Sequence, residues 1–369
     1  MTPTPAHPDA RFSQAPKGRG AAINPPNRFE TVALRVLPEE LERQTTEADG
    51  QPPRVATTVL EDESRSVINK VDSPDLPFSW TLNPYRGCEH GCIYCYARPG
   101  HEYLGMSCGI DFETRIMAKP RAPQLLRSHL GKKSWTGEPI VMSGVTDPYQ
   151  PAEREQGITR RCLEVMLEHR QPVSIITKNR MVMRDLDLLK QFAAWKGVRV
   201  AISLTTLDVE LARIMEPRAS SPKERLRAIE ELTAAGVDVT VMTAPMIPAI
   251  NDMEMPALLE AAASAGAKHA GFVVLRLPHQ IKDLFLEWLT RHFPDRAGKV
   301  ESLVRQMRGG DLNVSKFGER MKGTGAWAEQ MRATFKVFCR RHGLNTERMK
   351  LNSGEFRRPE KGGQMGLWG

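Results

Sequence analysis

The sequence predicts an α/β protein in which one parallel sheet is flanked by helices. Between residues 79 and 293, six short apolar runs typical of buried strands alternate with segments whose apolar residues recur every three or four positions. The connections are short, as in strand–helix–strand units with right-handed crossovers. The six units therefore form either a partial barrel or a flat, doubly wound sheet.

The six predicted strands are rich in apolar and β-branched residues, which suits strands covered on both faces. They lie at residues 79–84, 139–145, 173–177, 198–206, 237–245 and 269–277. The helices are predicted at residues 124–130, 159–170, 182–196, 253–266 and 281–293, with further helical segments between 207 and 236. Ligand-binding groups gather at the carboxyl ends of parallel strands, so the loops that follow the six strands are the expected site.

The segments on either side of this core differ from it in composition. The first 55 residues are rich in Pro, Gly and polar residues and are predicted to be a mostly disordered segment that can drape over the core. Residues 1–75 as a whole are predicted to be a largely irregular N-terminal arm. Residues 76–293 form the predicted core. Residues 294–369 are predicted to be a basic helical extension, with helices at 296–307 and 327–342.

The positive charge of the chain is concentrated near its C-terminus. From Asp295 onward there are 16 Lys or Arg and 8 Asp or Glu, a surplus that equals the net charge of +8. Such a surplus favours a polyanionic partner such as nucleic acid, and a solvated helical face with a loose tail is the alternative. No apolar run is long enough to span a bilayer, and no apolar secretory segment opens the chain, so we expect a cytoplasmic protein without a membrane partner.

Three of the six cysteines, Cys88, Cys92 and Cys95, are crowded directly after the first predicted strand. In a long chain without an export signal, clustered cysteines favour metal or redox chemistry over disulfides. Each thiolate can bind a separate iron of a [4Fe–4S] cluster, whereas a fully protein-ligated cluster would usually take four cysteines. The iron left open can be chelated by the amino and carboxylate groups of a small ligand. Gly87 and Gly91 suit a loop that folds tightly.

Two other interpretations of these cysteines remain open from the residues alone. Cys92, Cys95, His101 and Cys108 can form a small zinc knuckle, although this leaves Cys88 without a role. A cluster that only transfers electrons is the other interpretation, and three clustered ligands fit it poorly. Either would give a zinc- or iron–sulfur-containing nucleic-acid-binding protein without radical catalysis.

The pattern Cys88-x-x-x-Cys92-x-x-Cys95 at the start of a strand–helix series, with Tyr94 before the third cysteine, resembles the signature of the radical SAM superfamily. The resemblance implies a partial (β/α)6 TIM-type barrel and a [4Fe–4S] cluster on the three cysteines. It also implies that S-adenosylmethionine (SAM) binds to the open iron and is cleaved reductively to a 5′-deoxyadenosyl radical. The implied electron donor is a protein of the flavodoxin or ferredoxin type, and Tyr94 is implied to pack against the adenine.

The loop after the second predicted strand is implied to hold the methionine amino group of SAM. Backbone at Ser143 and Gly144 can approach the ligand closely, and Thr146 and Asp147 can supply oxygens for an ammonium group. This sequence departs here from the Gly-Gly-Glu that is more usual in the family.

The later strand ends are implied to contact the remaining parts of SAM. Lys178 is a point charge suited to the methionine carboxylate. Ser203 and Thr205 are implied to face the ribose or carboxylate, and Pro245 and Arg276 are implied to flank the adenine.

The runs Cys95-Tyr96 and Thr146-Asp147-Pro-Tyr149 resemble the spore photoproduct lyase-like, or DNA repair photolyase-like, branch of the superfamily, with similarity over about residues 78–290. In that branch the lyase proper splits a thymine dimer and quenches the product radical from a cysteine. Residues 139–144 contain no cysteine, so this quenching step is not expected here. Tyr96 or Tyr149 can relay a hydrogen atom instead, which leaves a lyase-like radical enzyme whose substrate is open.

Overall fold

The computed structural model describes residues 9–12, 14–30, 36–47, 51–348 and 350–359. The described strands are β1 Thr58–Glu61, β2 Ile68–Lys70, β3 Trp80–Leu82, β4 Tyr85–Arg86, β5 Arg115–Ala118, β6 Ile140–Met142, β7 Val173–Thr177, β8 Val198–Ser203, β9 Asp238–Met246 and β10 His269–Val274. The described helices are α1 Pro38–Glu47, α2 Ile110–Thr114, α3 Ala122–Leu130, α4 Glu153–Gln156, α5 Ile158–Glu168, α6 Leu186–Ala193, α7 Val209–Met215, α8 Pro222–Ala234, α9 Met255–Ser264, α10 Ile281–His292, α11 Ala297–Gln306 and α12 Gly325–Arg341. Short 3-10 helices cover Arg98–Leu104, Arg180–Asp185 and Asp252–Glu254.

The main sheet has the strand order β10-β9-β8-β7-β6-β3-β2. Its six strands from β3 to β10 pair in parallel and in sequence order, and β2 adds an antiparallel edge. A doubly wound sheet would reverse its strand order at a switch point, whereas barrel winding keeps the order of the chain. The α/β class and the partial barrel are therefore confirmed, and each of the six predicted strands is present.

Local sequence explains where several helices begin. Ser221 accepts a hydrogen bond from the Glu224 amide, and Pro222 occupies the first helical position of α8. Asp208 caps α7 in the same way through the amides of its first turn. These signals stand directly before amphipathic segments, so the sequence and the structure agree closely there.

Apolar burial divides into two main clusters. One lies between the sheet and its surrounding helices and includes strand residues such as Ile140, Val200 and Val241. The other lies beside the cysteine loop and includes Ile93 and Trp288. The second cluster packs against the loop that carries the cysteines. Because packed apolar interiors deform little, this cluster gives the loop a rigid support.

The N-terminal arm differs from the expectation of disorder. Residues 14–30 have little regular secondary structure, but Arg19, Ala21 and Ile23 are buried against the core. Later residues of the predicted arm form α1, β1 and β2, and β1 joins a second sheet of order β1-β5-β4. Composition did not reveal this because the arm is held by contacts with distant parts of the chain. Residues 1–8 lie outside the described residues.

The C-terminal extension contains both predicted helices, as α11 and α12. Beyond them the chain follows the loops that precede the barrel strands: Asn345 donates from its amide to Lys268, Asn352 to Lys196 and Arg357 to His169. Much of the basic tail thus lies at the end of the sheet opposite the cysteines. Within the described residues, no helix is both long enough and apolar enough to cross a membrane.

Candidate active site

The cysteine loop connects β4 to the 3-10 helix Arg98–Leu104, beyond the carboxyl end of β3. Cys88 and Cys92 are buried, Cys95 is half-buried, and all three are free thiols. The Cys88 amide donates to Phe112 O at 3.0 Å, and the Cys95 amide donates to Cys92 O at 3.2 Å. The backbone therefore folds the three thiols into one compact turn.

The chemistry of this donor set fits an iron–sulfur cluster. Burial raises the pKa of both Cys88 and Cys92, and the neighbouring cysteines raise that of Cys88 further. Thiols so placed become thiolates when a cation compensates the charge, and soft thiolates select iron–sulfur clusters.

The zinc knuckle considered from the sequence is not formed. Among the described residues, no three His, Cys, Asp or Glu side chains are arranged to hold one metal ion. The His101 ring donates instead to Arg115 O at 3.0 Å through Nε2. The same finding is compatible with a cluster, because its three thiolates bind three separate irons and need not converge on one point.

Gly91 allows the cysteine loop to turn tightly. It has a φ of +66°, and a Cβ there would lie 2.6 Å from Glu113 Oε2. Only glycine meets both the positive φ and the close approach. The expectation of a tightly folded loop is confirmed at this position.

A buried ion pair supports the loop from behind. Arg98 Nη2 lies 2.5 Å from Glu113 Oε1, and both side chains are 0% exposed. The same guanidinium donates to Gly91 O at 3.1 Å and to Cys92 O at 3.0 Å. Sequence reasoning missed both residues, because nothing in their spacing marks them as partners.

Asp147 accepts hydrogen bonds from several protein donors, and its expected contact with an ammonium group stays a prediction. Its carboxylate accepts from the Tyr149 amide at 2.9 Å, the Thr177 hydroxyl at 2.7 Å and the Lys178 amide at 2.8 Å. His90 Nδ1 lies 3.3 Å away. Burial opposes ionisation, but these partners together hold the pKa of Asp147 below its usual range. Asp147 thus fixes the cysteine loop to the ends of β6 and β7.

Thr146 and His90 strengthen the same attachment. Thr146 donates from its hydroxyl to Gly87 O at 2.7 Å, at the start of the cysteine loop. His90, which sequence reasoning missed, has Nε2 at 3.2 Å from Asn179 Nδ2. Since an amide NH2 donates there, Nδ1 carries the imidazole proton and donates to Asp147. The side-chain oxygens of Thr146 and Asp147 therefore form hydrogen bonds within the protein.

Tyr94 and Thr205 meet at a buried carboxylate that the sequence did not reveal. The Tyr94 hydroxyl donates to Glu216, and the Thr205 hydroxyl donates to the same carboxylate at 3.0 Å. Arg225 forms an ion pair with Glu216 and also donates to Ser203 O at 3.1 Å. The end of β8 and the ring of Tyr94 are thereby held together.

Lys178 lies next to Tyr94. Its Nζ is 5.8 Å from the centre of the Tyr94 ring, within cation–π range. Its ammonium forms no ion pair within the part of the chain that the structure describes. Next to the carboxyl end of β7, Lys178 is therefore a cation without a carboxylate partner among the described residues.

Tyr96 brings together the ends of β6 and β10. Its hydroxyl donates to Gly144 O at 2.6 Å, and the Arg276 guanidinium lies 5.6 Å from its ring centre. Tyr96 is 52% exposed, so it borders solvent. Ser143 and Gly144 have φ values of +145° and +130°, which for Ser143 is a strained backbone of the kind found at functional sites.

Two further predicted residues, Tyr149 and Pro245, form hydrogen bonds with other parts of the protein. The Tyr149 hydroxyl donates to Asp185 at 3.1 Å, and the whole side chain is buried. Pro245 lies at the end of β9, where its carbonyl accepts from Asn251 at 3.0 Å. Their roles in hydrogen transfer and adenine binding stay predictions.

Known proteins are similar to this chain in sequence or in fold. Residues 82–262 match the radical SAM superfamily. An uncharacterised protein of Mycobacterium tuberculosis is 37% identical over 245 residues, which cover 66% of this chain and 72% of the relative. An uncharacterised protein of Methanocaldococcus jannaschii is 28% identical over 197 residues, 53% of this chain and 70% of the relative.

Solved structures of spore photoproduct lyase share the fold. A mutant of that enzyme has a TM-score of 0.57 with 14% identity over 84% of this chain and 93% of the lyase. Its complex with dinucleoside spore photoproduct also has a TM-score of 0.57 with 14% identity, over 83% and 93% of the two chains. At this identity the likeness concerns the fold.

Proposed function

Because the chain belongs to the radical SAM superfamily, we propose that Cys88, Cys92 and Cys95 hold its [4Fe–4S] cluster and that the open iron binds SAM. The superfamily uses this cluster and SAM. When bound, the reduced cluster supplies the electron that breaks the carbon–sulfur bond of SAM and yields a 5′-deoxyadenosyl radical. The observation that carries the proposal is the gathering of three free thiols on one loop at the carboxyl ends of the barrel strands.

The protein's own side chains and backbone groups bind and orient SAM. Lys178 pairs its free ammonium with the methionine carboxylate, and Tyr94 presents its ring to the adenine. Ser143 and Gly144 offer backbone groups to the methionine amino group. Ser203 is the last residue of β8, and at this position it borders the ribose. Each of these groups lies at the carboxyl end of a strand or in the cysteine loop.

We assign the substrate side of the site to Tyr96 and Arg276. Strand β6 contains no cysteine, so a phenol next to Cys95 is the group that can relay a hydrogen atom. Arg276 forms no ion pair within the described residues, and its Nε has no hydrogen-bond partner there. A cation beside an exposed aromatic ring suits a substrate with an anionic group and a flat ring, as in nucleic acid.

An exposed aromatic ring near Arg276 also suits a nucleic-acid substrate. Phe317 is 51% exposed, and the guanidinium of Arg320, which is paired with Asp75, lies 4.4 Å from its ring centre. Burial and, to a smaller extent, the charge of Arg320 lower the pKa of Arg276. The reaction on the nucleic acid would be lyase-like, with a flavodoxin- or ferredoxin-type protein as the physiological reductant.

The central experiment measures 5′-deoxyadenosine. Anaerobically reconstituted protein is mixed with SAM and dithionite, and the product is quantified by chromatography. We expect product from the wild type and from Cys162→Ala, a buried cysteine in α5, but none from Cys92→Ala. A brown wild-type protein that forms no 5′-deoxyadenosine would support the alternative of an iron–sulfur nucleic-acid-binding protein.

The substrate class is tested by binding of a short single-stranded oligonucleotide at several salt concentrations. Arg276→Gln should weaken binding and reduce the salt slope by about 1. Arg340→Gln, on the exposed face of α12, is the matched control and should bind as the wild type does. Equal losses in both variants would show that binding does not involve the barrel mouth.

A further inference from the structure

Residues 19–21 of the N-terminal arm contact Glu113 in α2, and Gly20 also lies against Gly91 at the rear of the cysteine loop. We propose that Glu113 and residues 19–21, here called the clasp, hold this loop closed around its cluster and set the rate at which the cluster is lost. The inference rests on the proposed function, in which the loop holds a [4Fe–4S] cluster.

Glu113 is the centre of the clasp. Its Oε2 accepts from the Gly20 amide at 2.9 Å, and its Oε1 accepts from the Ala21 amide at 2.9 Å. Arg98 approaches the same carboxylate at 2.5 Å. A single buried carboxylate therefore links the arm to the residue that fixes the cysteine loop. Charge-assisted bonds of this kind are stronger than neutral ones.

Arg98 connects Glu113 to the backbone of the cysteine loop. Its guanidinium donates to the carbonyls of Gly91 and Cys92 on one side and to Gly109 O at 2.9 Å on the other. Arg98 and Glu113 are completely buried, so water cannot replace these bonds without an opening of the structure. Movement of the arm would expose the pair and loosen the turn that carries Cys92.

The arm is itself anchored on both sides of the contact. Arg19 donates to Glu113 O at 2.8 Å and to Val55 O at 2.7 Å. Ala21 is 0% exposed. At Gly20 the two backbones touch, because a Cβ there would overlap the Gly91 carbonyl oxygen. A chelator or an oxidant that approaches from this side must first displace the arm.

Gly20→Ala is the variant that opens the clasp without removing a buried charge. Its methyl group would push the arm away from Gly91, while Arg98 and Glu113 remain paired. Gly100→Ala is the matched control, because it follows the same loop and its Cβ would meet nothing within 4 Å.

Two measurements test the clasp. In the metal-free protein, trypsin cleavage after Lys17 and Arg19 should be about tenfold faster in Gly20→Ala than in the wild type, roughly the change for one lost charge-assisted hydrogen bond. In the reconstituted protein, loss of visible absorbance in EDTA should accelerate by a similar factor. Gly100→Ala should match the wild type in both measurements.

The possible results separate the clasp from the proposed function. Faster cleavage with unchanged cluster loss would overturn the clasp, because the arm would then move without affecting the cluster. Unchanged cleavage would overturn it as well, since the methyl group would not have displaced the arm. A wild-type protein that binds no cluster on reconstitution would refute the proposed function, whatever the trypsin result.

Discussion

The buried ion pair between Glu216 and Arg225 gives a prediction whose size can be worked out. The side chains are 0% and 2% exposed, and Glu216 also accepts from Tyr94 and Thr205. Glu216→Gln keeps the shape of the side chain and removes its charge, so the Arg225 guanidinium stays buried without a counter-ion. Breaking a buried pair in this way costs about 3–5 kcal/mol, and we expect the lower end because the glutamine keeps one acceptor oxygen.

The expected shift in Tm follows from the size of the chain. Unfolding entropy of about 2.1 cal/mol/K per residue gives roughly 0.8 kcal/mol/K for 369 residues. A loss of about 3 kcal/mol therefore lowers the Tm by about 4 °C. Tyr94→Phe removes one hydroxyl and leaves the ion pair, so its cost of about 1–2 kcal/mol corresponds to a shift of about 2 °C.

Differential scanning calorimetry of the metal-free protein is the assay. The control is Glu210→Gln in the same region of the chain, where Glu210 pairs with Arg213 and both side chains are exposed. Exposed pairs contribute little, so the control should melt as the wild type does. A Glu216→Gln protein that melts within 1 °C of that control would refute the reasoning that this carboxylate is needed to neutralise Arg225.

Three other predictions concern the site and its support. Lys178→Gln should raise the KM for SAM by about 10-fold or more with unchanged visible absorbance, because a charged hydrogen bond contributes about 1.5–3 kcal/mol; an unchanged KM would rule out the carboxylate contact. The partners of Asp147 hold its pKa low, so it contributes stability above the ordinary Asp pKa of about 3.9, and that contribution disappears as the pH falls through the folded-state value. Urea unfolding should therefore show Asp147→Asn to be less stable than the wild type at pH 7, with a gap that narrows in acid; a gap independent of pH would contradict the assignment. Truncation after residue 344 should lower the Tm, because Phe356 packs against the core and Asn352 binds Lys196, yet leave cluster absorbance unchanged at 20 °C or below; loss of the cluster in the folded, truncated protein would show that the tail supports the site.

The six strands were predictable because their signal is local. Runs such as residues 173–177 and 198–203 are mostly apolar or β-branched, and a turn or helix signal follows each of them. Predicted strands extended too far where polar strand-end residues follow, as at Ser143 and Thr205, because these residues already belong to the loops after the strands. The packed arm was not predictable, since Glu113 lies more than 90 residues from Gly20 and Ala21.

The sequence by itself determined the order of the elements, the three clustered thiols and the polar residues at the strand ends, because each depends on residues that are close in the chain. Only the tertiary structure decided which polar residues remain free. Asp147 and Thr146 form hydrogen bonds that support the cysteine loop. Lys178 and Arg276 have no carboxylate partner among the described residues. The physical reason is that a buried charge must find a partner, and that partner can come from any part of the chain.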